Sequence, residues 1–243
     1  MPSLTVENYL KTILLLEPDP RPQSVSTGRI ATALGVAPGT VTAMIKTLEQ
    51  AGLVRYRRYG GVQLTREGKT LALHVLRRHR VVELFLVRVL EMPWTEVHEE
   101  AEALEHAISD KVLERMDALL GRPTADPHGD PIPQADGRVP RDTTHRSLSS
   151  HAPGVRLEVV RLLDQRPEFL RLAEKLGIRP GSTVEMLSKE EAGQVLQLRS
   201  PQGHVAVGMA AGERILVRTL AGGGSPSRRG SSGRKRRSDH RKR

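Results

Sequence analysis

Residues 26–65 carry the pattern that most constrains the fold of this chain. The spacing of apolar residues predicts a short helix from about residue 28, a turn at residues 35–39 and a second helix over residues 40–50. Residues 54–65 follow directly and read as two short strands around a Gly-Gly turn. Two helices joined by a tight turn and followed by a hairpin predict a winged helix-turn-helix.

The exposed face of this unit is a candidate DNA-binding surface. The residues predicted to face outward are Ala37, Pro38, Gly39, Thr40, Thr42, Ala43 and Lys46 near and on the second helix, and Arg55, Arg57 and Arg58 on the hairpin. Small side chains allow close approach to thymine methyl groups, and guanidinium groups neutralise phosphates. A charged hairpin in isolation is equally typical of an edge protected from aggregation. Its position after a helix-turn-helix favours DNA contact, with two half-sites bound by a dimer.

Residues 94–107 are rich in histidine and glutamate at helical spacing. Four side chains are predicted to share one helical face: His98, Glu102, Glu105 and His106. Two imidazoles and two carboxylates suit Mn²⁺, Fe²⁺ or Zn²⁺. His79 and Glu83 form a second pair, spaced i to i+4 on the preceding predicted helix. Glutamate-rich helices are commonly just solvated, but two such pairs on consecutive helices predict metal binding.

Helices are also predicted on both sides of this stretch. Residues 65–92 form a long helix and residues 109–120 a shorter one. Thr95 is expected to cap the helix between them, and Ser109 or Asp110 is expected to cap the last one. The apolar residues of the last helix are consistent with either the interior of a domain or the seam of a two-fold dimer.

Charge and residue usage narrow the class of protein. The net charge of the 243 residues is +10, but the nine lysines and arginines after Ser227, with one acid, contribute +8 of it. A basic surface on the rest of the chain therefore has to be local. There is no cysteine, which excludes disulfides and thiolate metal ligands. No apolar run reaches about eighteen residues and no secretory pattern opens the chain, so a cytoplasmic protein without a membrane span is expected.

The composition divides the chain into five predicted segments within an α+β fold. Residues 1–70 are predicted to be the winged helix-turn-helix domain, 71–140 a helical metal-binding and dimerisation domain, and 141–154 a linker. Residues 155–220 contain closely spaced short strands with glycine turns, which indicates a small barrel. Residues 221–243 are rich in glycine, serine and arginine and are predicted to be a disordered basic tail.

Taken together, these features resemble the diphtheria toxin repressor and manganese transport regulator family of metal-dependent bacterial repressors, over residues 4 to about 220. The resemblance rests on residues 7–13, 30–54, 79–83, 98–106, 109–110 and 128–133 and on the spacing between them. It implies a homodimer that binds a double-stranded DNA operator when a metal ion is present, and it implies that the C-terminal unit is an SH3-like barrel.

The resemblance also implies which side chains bind metal. The main regulatory position corresponds to Glu102, Glu105, His106 and, from the first helix, Asn8. The second position, which would make two ions per subunit, corresponds to His79, Glu83 and His98. Barrel residues contribute to the second position in some members, which makes Gln165 and Glu168 candidates. Other members use the linker there, which makes Asp126 and His128 candidates.

Two departures from the iron-responsive members bear on the metal. Glu102 stands where they carry a thiol, and Asn8 stands where they carry methionine. A set of only oxygen and nitrogen donors is harder and favours Mn²⁺, with Fe²⁺ as the second choice. Lys11 stands where a short manganese regulator would have another acid.

Two other classes of function remain open from the residues. A winged-helix regulator that senses a small organic ligand would account for the N-terminal half, but it would leave the histidine and glutamate faces unused. A di-metal carboxylate enzyme needs Glu-x-x-His pairs on two helices. The chain has no such pair, and it has no HExxH, phosphate-loop or GxSxG motif. We therefore expect a metal-dependent repressor that is not an enzyme.

Overall fold

The computed structural model describes residues 3–17, 24–140 and 144–220. Its helices are α1 (Leu4–Leu16), α2 (Thr27–Leu34), α3 (Pro38–Gln50), α4 (Arg66–Arg88), α5 (Val97–Leu104), α6 (Asp110–Leu119), α7 (Pro167–Lys175) and α8 (Met209–Gly212). Its strands are β1 (Val54–Arg57), β2 (Gly61–Leu64), β3 (Arg146–Ser147), β4 (Arg156–Leu162), β5 (Thr183–Glu190), β6 (Val195–Ser200), β7 (Gly203–Gly208) and β8 (Ile215–Thr219). The predicted basic tail, residues 221–243, lies outside the described residues.

Helices α1 to α3 and the hairpin β1–β2 form the expected winged helix-turn-helix. Ser26 caps α2 through its side chain, and Gly35 ends α2 in the left-handed conformation that glycine adopts without strain. Helix α3 begins at Pro38, two residues earlier than predicted. A proline at the first position of a helix loses no hydrogen bond, because the N–H there has no partner within the helix. The buried stripe of α3 is the predicted one: Val41, Ile45 and Leu48.

Helix α4 begins immediately after the hairpin and links the winged unit to the rest of the chain. Thr65 caps it by accepting from the Gly68 amide, and the same hydroxyl donates to the Leu53 carbonyl. A Cβ atom on Gly68 would lie 1.9 Å from the Leu53 carbonyl oxygen, so the backbones are in direct contact here. The helix is continuous over 23 residues and packs against α1 and α5. The predicted metal ligands of α4, His79 and Glu83, therefore lie on a continuous helix that packs against α1 of the winged unit.

Two short helices, α5 and α6, follow α4. The prediction that Thr95 caps α5 is wrong: the cap position is Glu96, without a side-chain hydrogen bond. Thr95 is instead buried. Helix α5 ends at Leu104, so Glu105 and His106 lie in the turn that follows, although Glu105 keeps helical backbone angles and bonds to Ala101. Ser109 caps α6 as predicted.

The C-terminal unit is an antiparallel sheet of six strands in the order β3-β8-β4-β5-β6-β7. Residues 141–154, predicted as a linker, contain β3, which pairs with β8 through Arg146 and Ser147. The linker prediction missed this strand because two residues are too few to show an alternating pattern. Among the described residues the sheet is open, since no pairing joins β3 to β7. The strand pairing of the described residues therefore shows an open sheet and not the closed barrel that was predicted.

Trp94, at the start of the histidine and glutamate stretch, packs into the core of the C-terminal unit. It lies in one apolar cluster with residues such as Leu157, Leu170 and Val184. Its indole N–H donates to Glu174 of α7 at 2.9 Å. The helical region and the sheet are therefore joined by a buried aromatic anchor. Within the described ranges no helix is long and apolar enough to cross a membrane.

Candidate metal centre and DNA-binding surface

Helix α1 and the turn after α5 meet at His106. Its Nε2 atom lies 2.8 Å from Oδ1 of Asn8 and 3.0 Å from Oε1 of Glu105. An amide oxygen and a carboxylate oxygen can only accept hydrogen bonds. One imidazole nitrogen and two oxygens, all of them possible metal ligands, therefore converge. This donor set fits a divalent metal ion.

Glu7 orients His106, a role that the sequence analysis missed. Its Oε2 atom lies 2.7 Å from Nδ1 of His106. A carboxylate that accepts from one imidazole nitrogen fixes the ring and leaves the other nitrogen available as a ligand. The signal in the sequence was only the position of Glu7 beside Asn8, because 99 residues separate it from His106.

Lys11 contacts the two carboxylates of the predicted main position. Its Nζ atom donates to Oε1 of Glu102 and to Oε1 of Glu105, both at 2.6 Å. The side chain of Lys11 is 7% exposed and that of Glu105 is fully buried, whereas Glu102 is partly exposed. An ammonium group thus lies among side chains that were predicted as metal ligands.

His79 of α4 connects the two predicted metal positions. Its Nδ1 atom lies 2.7 Å from Oε2 of Glu105, and its Nε2 atom lies 3.0 Å from Oε1 of Glu83. Burial lowers the pKa of His79, but the hydrogen bonds to Glu105 and Glu83 outweigh it and raise the pKa to about 9. His98 completes a compact group, with its Nδ1 atom 3.2 Å from the same Glu83 oxygen.

Among the described residues, ligand-type atoms form three compact groups, each within 4.8 Å: His79, Glu83 and His98; His79, Glu102 and Glu105; and Glu83, Asp126 and His128. The first group is the predicted second position. The second group contains His79 with Glu102 and Glu105, whereas His106 contacts Glu105 but is not part of this group. The two predicted ligand sets are therefore not separate in space. His79, from the second predicted position, contacts Glu105 of the main position.

The third group lies on the other side of Glu83. Nε2 of His128 donates to the Trp94 carbonyl at 2.9 Å, which leaves Nδ1 facing Oε2 of Glu83 at 3.9 Å. Burial raises the pKa of Asp126 well above its usual range, and the charges of Asp130 and Glu83 raise it further. Arg80 lies 3.6 Å from Asp126 and offsets part of this charge.

Of the two candidates from the C-terminal unit, only Gln165 lies beside the metal-type groups. It hydrogen-bonds to Asp130, and it lines a cavity of about 290 Å³ together with His79, Glu83, His98 and Glu102. Glu168 is exposed on the first turn of α7 and is not among the described residues that line this cavity.

The predicted DNA-binding residues form an exposed surface on α3 and the hairpin. Ala37, Pro38, Gly39, Thr40, Ala43 and Lys46 are exposed, Thr42 is partly buried, and Arg55, Arg57 and Arg58 are exposed on the hairpin. Val62 of β2 pairs with Val25, which attaches the hairpin to the segment before α2. Arg58 lies over the ring of Tyr59 at 5.1 Å. The hairpin thus presents its guanidinium groups from a fixed frame.

An apolar surface is exposed on α6 and at the end of α5. Leu119 is 68% exposed, and Val112 and Leu104 are also exposed. Large apolar side chains that stay in solvent on neighbouring helices are typical of a surface that another protein covers.

A winged-helix unit, a helical unit with clustered histidines and carboxylates, and an antiparallel sheet define a class: DNA-binding regulators with a metal-responsive helical domain. The chain matches the iron dependent repressor N-terminal DNA binding domain over residues 1–62. It matches the iron dependent repressor metal binding and dimerisation domain over residues 65–134 and the FeoA domain over residues 146–219. The chain belongs to the diphtheria toxin repressor and manganese transport regulator family.

Three relatives are similar to this chain over different shares of its length. The chain is 32% identical to the diphtheria toxin repressor of Corynebacterium efficiens over 196 residues, which are 76% of this chain and 84% of that protein. It is 40% identical over 129 residues to the iron-dependent repressor IdeR of Mycobacterium tuberculosis, but the match spans 53% of this chain and 55% of that repressor. A manganese-dependent transcriptional repressor in complex with manganese is 39% identical, with a TM-score of 0.78 over 88% of this chain and 100% of that one.

Proposed function

We propose that this protein is a metal-dependent transcriptional repressor that binds operator DNA as a homodimer and controls metal-ion homeostasis. The observation that carries the proposal is the convergence of Asn8, Glu105 and His106 across the junction between α1 and the turn after α5. Helix α1 belongs to the unit that presents α3 and the hairpin, and His106 belongs to the helical part. A metal-ligand set that spans this junction connects metal binding to the orientation of the DNA-binding surface.

The ligands act by joining two parts of the molecule. A divalent ion supplies positive charge that several oxygen and nitrogen donors share. Glu105 and His106 hold their positions through Ala101 and Glu7, and Asn8 brings its amide oxygen to them from α1. The arrangement of α1 that places Asn8 in contact is stabilised by the shared ligation, and its population therefore rises. Glu102 would complete the main position once its contact with Lys11 is released.

His79, Glu83 and His98 are our candidates for a second metal position. Asp126 and His128 face the remaining oxygen of Glu83, and Gln165 reaches the same cavity through Asp130, so these three are further candidates. Glu168 is the weakest candidate on geometry. A carboxylate with one oxygen directed to each side, as in Glu83, is suited to link neighbouring donor groups.

Mn²⁺ is our first choice of metal and Fe²⁺ our second. All the candidate ligand atoms are carboxylate or amide oxygens and imidazole nitrogens, a set that suits harder divalent ions. Relatives include proteins described as iron-dependent and as manganese-dependent. The choice is tested by measuring DNA binding under anaerobic conditions at matched free concentrations of each ion, and stronger activation by Fe²⁺ would reverse it.

The remaining assignments follow from the same surfaces. Thr40, Ala43 and Lys46 would enter the major groove, and the hairpin arginines would contact phosphates. Helix α6 would form the two-fold interface through its exposed apolar residues. We further propose a cytoplasmic location, no enzymatic activity, SH3-like closure of the C-terminal sheet and the domain boundaries predicted above.

Selection of duplexes from a random DNA library tests the function without assuming any operator sequence. With Mn²⁺ present, we expect enrichment of a sequence with two related half-sites about one helical turn apart, because a symmetric dimer presents two copies of α3. With a chelator in place of Mn²⁺, we expect no enrichment. Equal enrichment in both selections would contradict metal dependence. If an organic compound, rather than the metal, is required, the small-ligand alternative is supported.

A further inference from the structure

Lys11 occupies the space between two carboxylates that are proposed metal ligands. Its ammonium nitrogen lies 2.6 Å from an oxygen of Glu102 and 2.6 Å from an oxygen of Glu105. Metal ions that bind carboxylate oxygens lie at about 2.0–2.6 Å from them. The ammonium group and an ion held by both carboxylates would therefore overlap, and their like charges would repel each other at this partly buried position.

We propose that Lys11 is a tethered competitor of the divalent cation, whose ammonium group holds Glu102 and Glu105 in the metal-free protein and raises the ion concentration needed to load the site. This inference rests on the proposed function. It adds to that function a residue that sets the metal threshold and does not itself bind metal.

The position of Lys11 on α1 gives the competition a structural consequence. Lys11 and Asn8 are three residues apart and share a helical face, so one helix carries both the competitor and a proposed ligand. The contact of Lys11 with Glu102 and Glu105 keeps α1 attached to the helical part when no ion is bound. Metal loading thus exchanges the contact of Lys11 with Glu102 and Glu105 for the contact of Asn8 with the shared ion.

The surroundings of Lys11 allow this exchange. The cavity of about 290 Å³ is lined by Lys11, Leu15, Glu102 and His98, among others. A lysine side chain is flexible and carries its charge as a compact group at the end of four methylenes. The side chain can therefore turn into the cavity and leave the two carboxylates without repacking the core.

Calorimetric titration of the full-length protein with Mn²⁺ tests the proposal. Lys11→Met keeps the aliphatic chain and removes the charge, so we expect it to bind Mn²⁺ at least about ten-fold more tightly than the parent protein. Lys11→Arg keeps the charge and is expected to retain the Mn²⁺ affinity of the parent protein. Lys175→Met, at an exposed position of α7, makes the same change in net charge and is expected to match the parent. A folded Lys11→Met variant with equal or weaker affinity would overturn the proposal.

A second measurement uses the unaltered chain, so it does not depend on the folding of a variant. Acetylation of lysine amines, followed by mass spectrometry, is expected to label Lys11 slowly without metal and several-fold faster with Mn²⁺, while Lys175 is labelled equally in both. Equal protection of Lys11 in both states would overturn the proposal. Failure of the parent and of Lys11→Met to bind Mn²⁺ or Fe²⁺ would instead reject the proposed function.

Discussion

The pKa of His79, a proposed ligand, is raised although its side chain is buried. With its pKa raised to about 9, it carries a proton on both nitrogens at neutral pH and donates to Glu105 and Glu83. This interaction stabilises the metal-free fold fully below the ordinary histidine value near 6.5, and the stabilisation is lost as the pH rises through about 9. A metal ligand has to give up one of these protons.

We therefore predict that Mn²⁺ binding releases a proton at pH 7 to 8 and strengthens with rising pH. Calorimetry in two buffers of different ionisation enthalpy measures the number of protons released. His79→Gln should reduce it by about one, whereas exposed His204→Gln should not change it. An affinity that stays constant between pH 6.5 and 8.5 would contradict a protonated His79 in the metal-free protein.

At the level of single residues, the sequence showed most of the proposed ligands but not their partners. The spacing of His98, Glu102 and Glu105 was visible because it follows the period of one helix. The contacts of His106 with Glu7 and of Lys11 with Glu105 join residues more than 90 positions apart. Such contacts depend on how α1 packs, and local spacing carries no information about that.

At the level of elements, the junction between the hairpin and α4 depends on Gly68. We predict that Gly68→Ala lowers the free energy of unfolding by about 2 kcal/mol or more, because the new methyl group would overlap the Leu53 carbonyl. Denaturant unfolding of the metal-free protein measures this. Gly28→Ala on α2 is the matched control, since a Cβ atom there meets nothing within 4 Å, and it should be neutral or slightly stabilising. Equal stability of the two variants would show that the backbone at the junction shifts to accommodate the methyl group at little cost in free energy.

The hairpin is expected to contribute nonspecific affinity. Arg57→Ala should weaken binding to all DNA sequences to a similar degree and reduce the slope of log affinity against log salt by about 1, because one phosphate contact is lost. Fluorescence anisotropy over a range of salt concentrations measures this slope. Arg171→Ala, on α7, removes the same charge away from the proposed DNA surface and should leave the slope unchanged. A loss confined to one sequence would instead indicate that Arg57 contacts a base.

Helices and strands were predicted well where the apolar periodicity extends over many residues. They were predicted poorly where a capping residue sets the boundary or where a strand has only two residues. The stripe of α3 was visible because Val41, Ile45 and Leu48 recur at helical spacing. The cap of α5 was misassigned because Thr95, a residue type that favours caps, is buried instead. Strand β3 exists through its pairing with β8, so two residues became a strand only in the tertiary context.

At the level of the whole molecule, the proposed function requires two copies of the chain. We predict that Leu119→Asp shifts the protein to monomers and weakens operator binding, because it places a charge in the proposed apolar interface on α6. Analytical ultracentrifugation measures the mass. Leu172→Asp, which changes an exposed leucine on α7, is the control and should remain a dimer. A stable Leu119→Asp dimer would place the interface elsewhere.

Operator affinity with and without the ion is the most direct test of the account, because the central claim is that a cation joins α1 to the helical part. By fluorescence anisotropy with a selected duplex, Mn²⁺ should tighten binding about ten- to a hundred-fold, a coupling of roughly 1 to 3 kcal/mol. Glu105→Gln should lose this gain, whereas Glu100→Gln, exposed on α5, should keep it. Equal affinity with Mn²⁺ and with chelator, or a full gain in Glu105→Gln, would contradict the account.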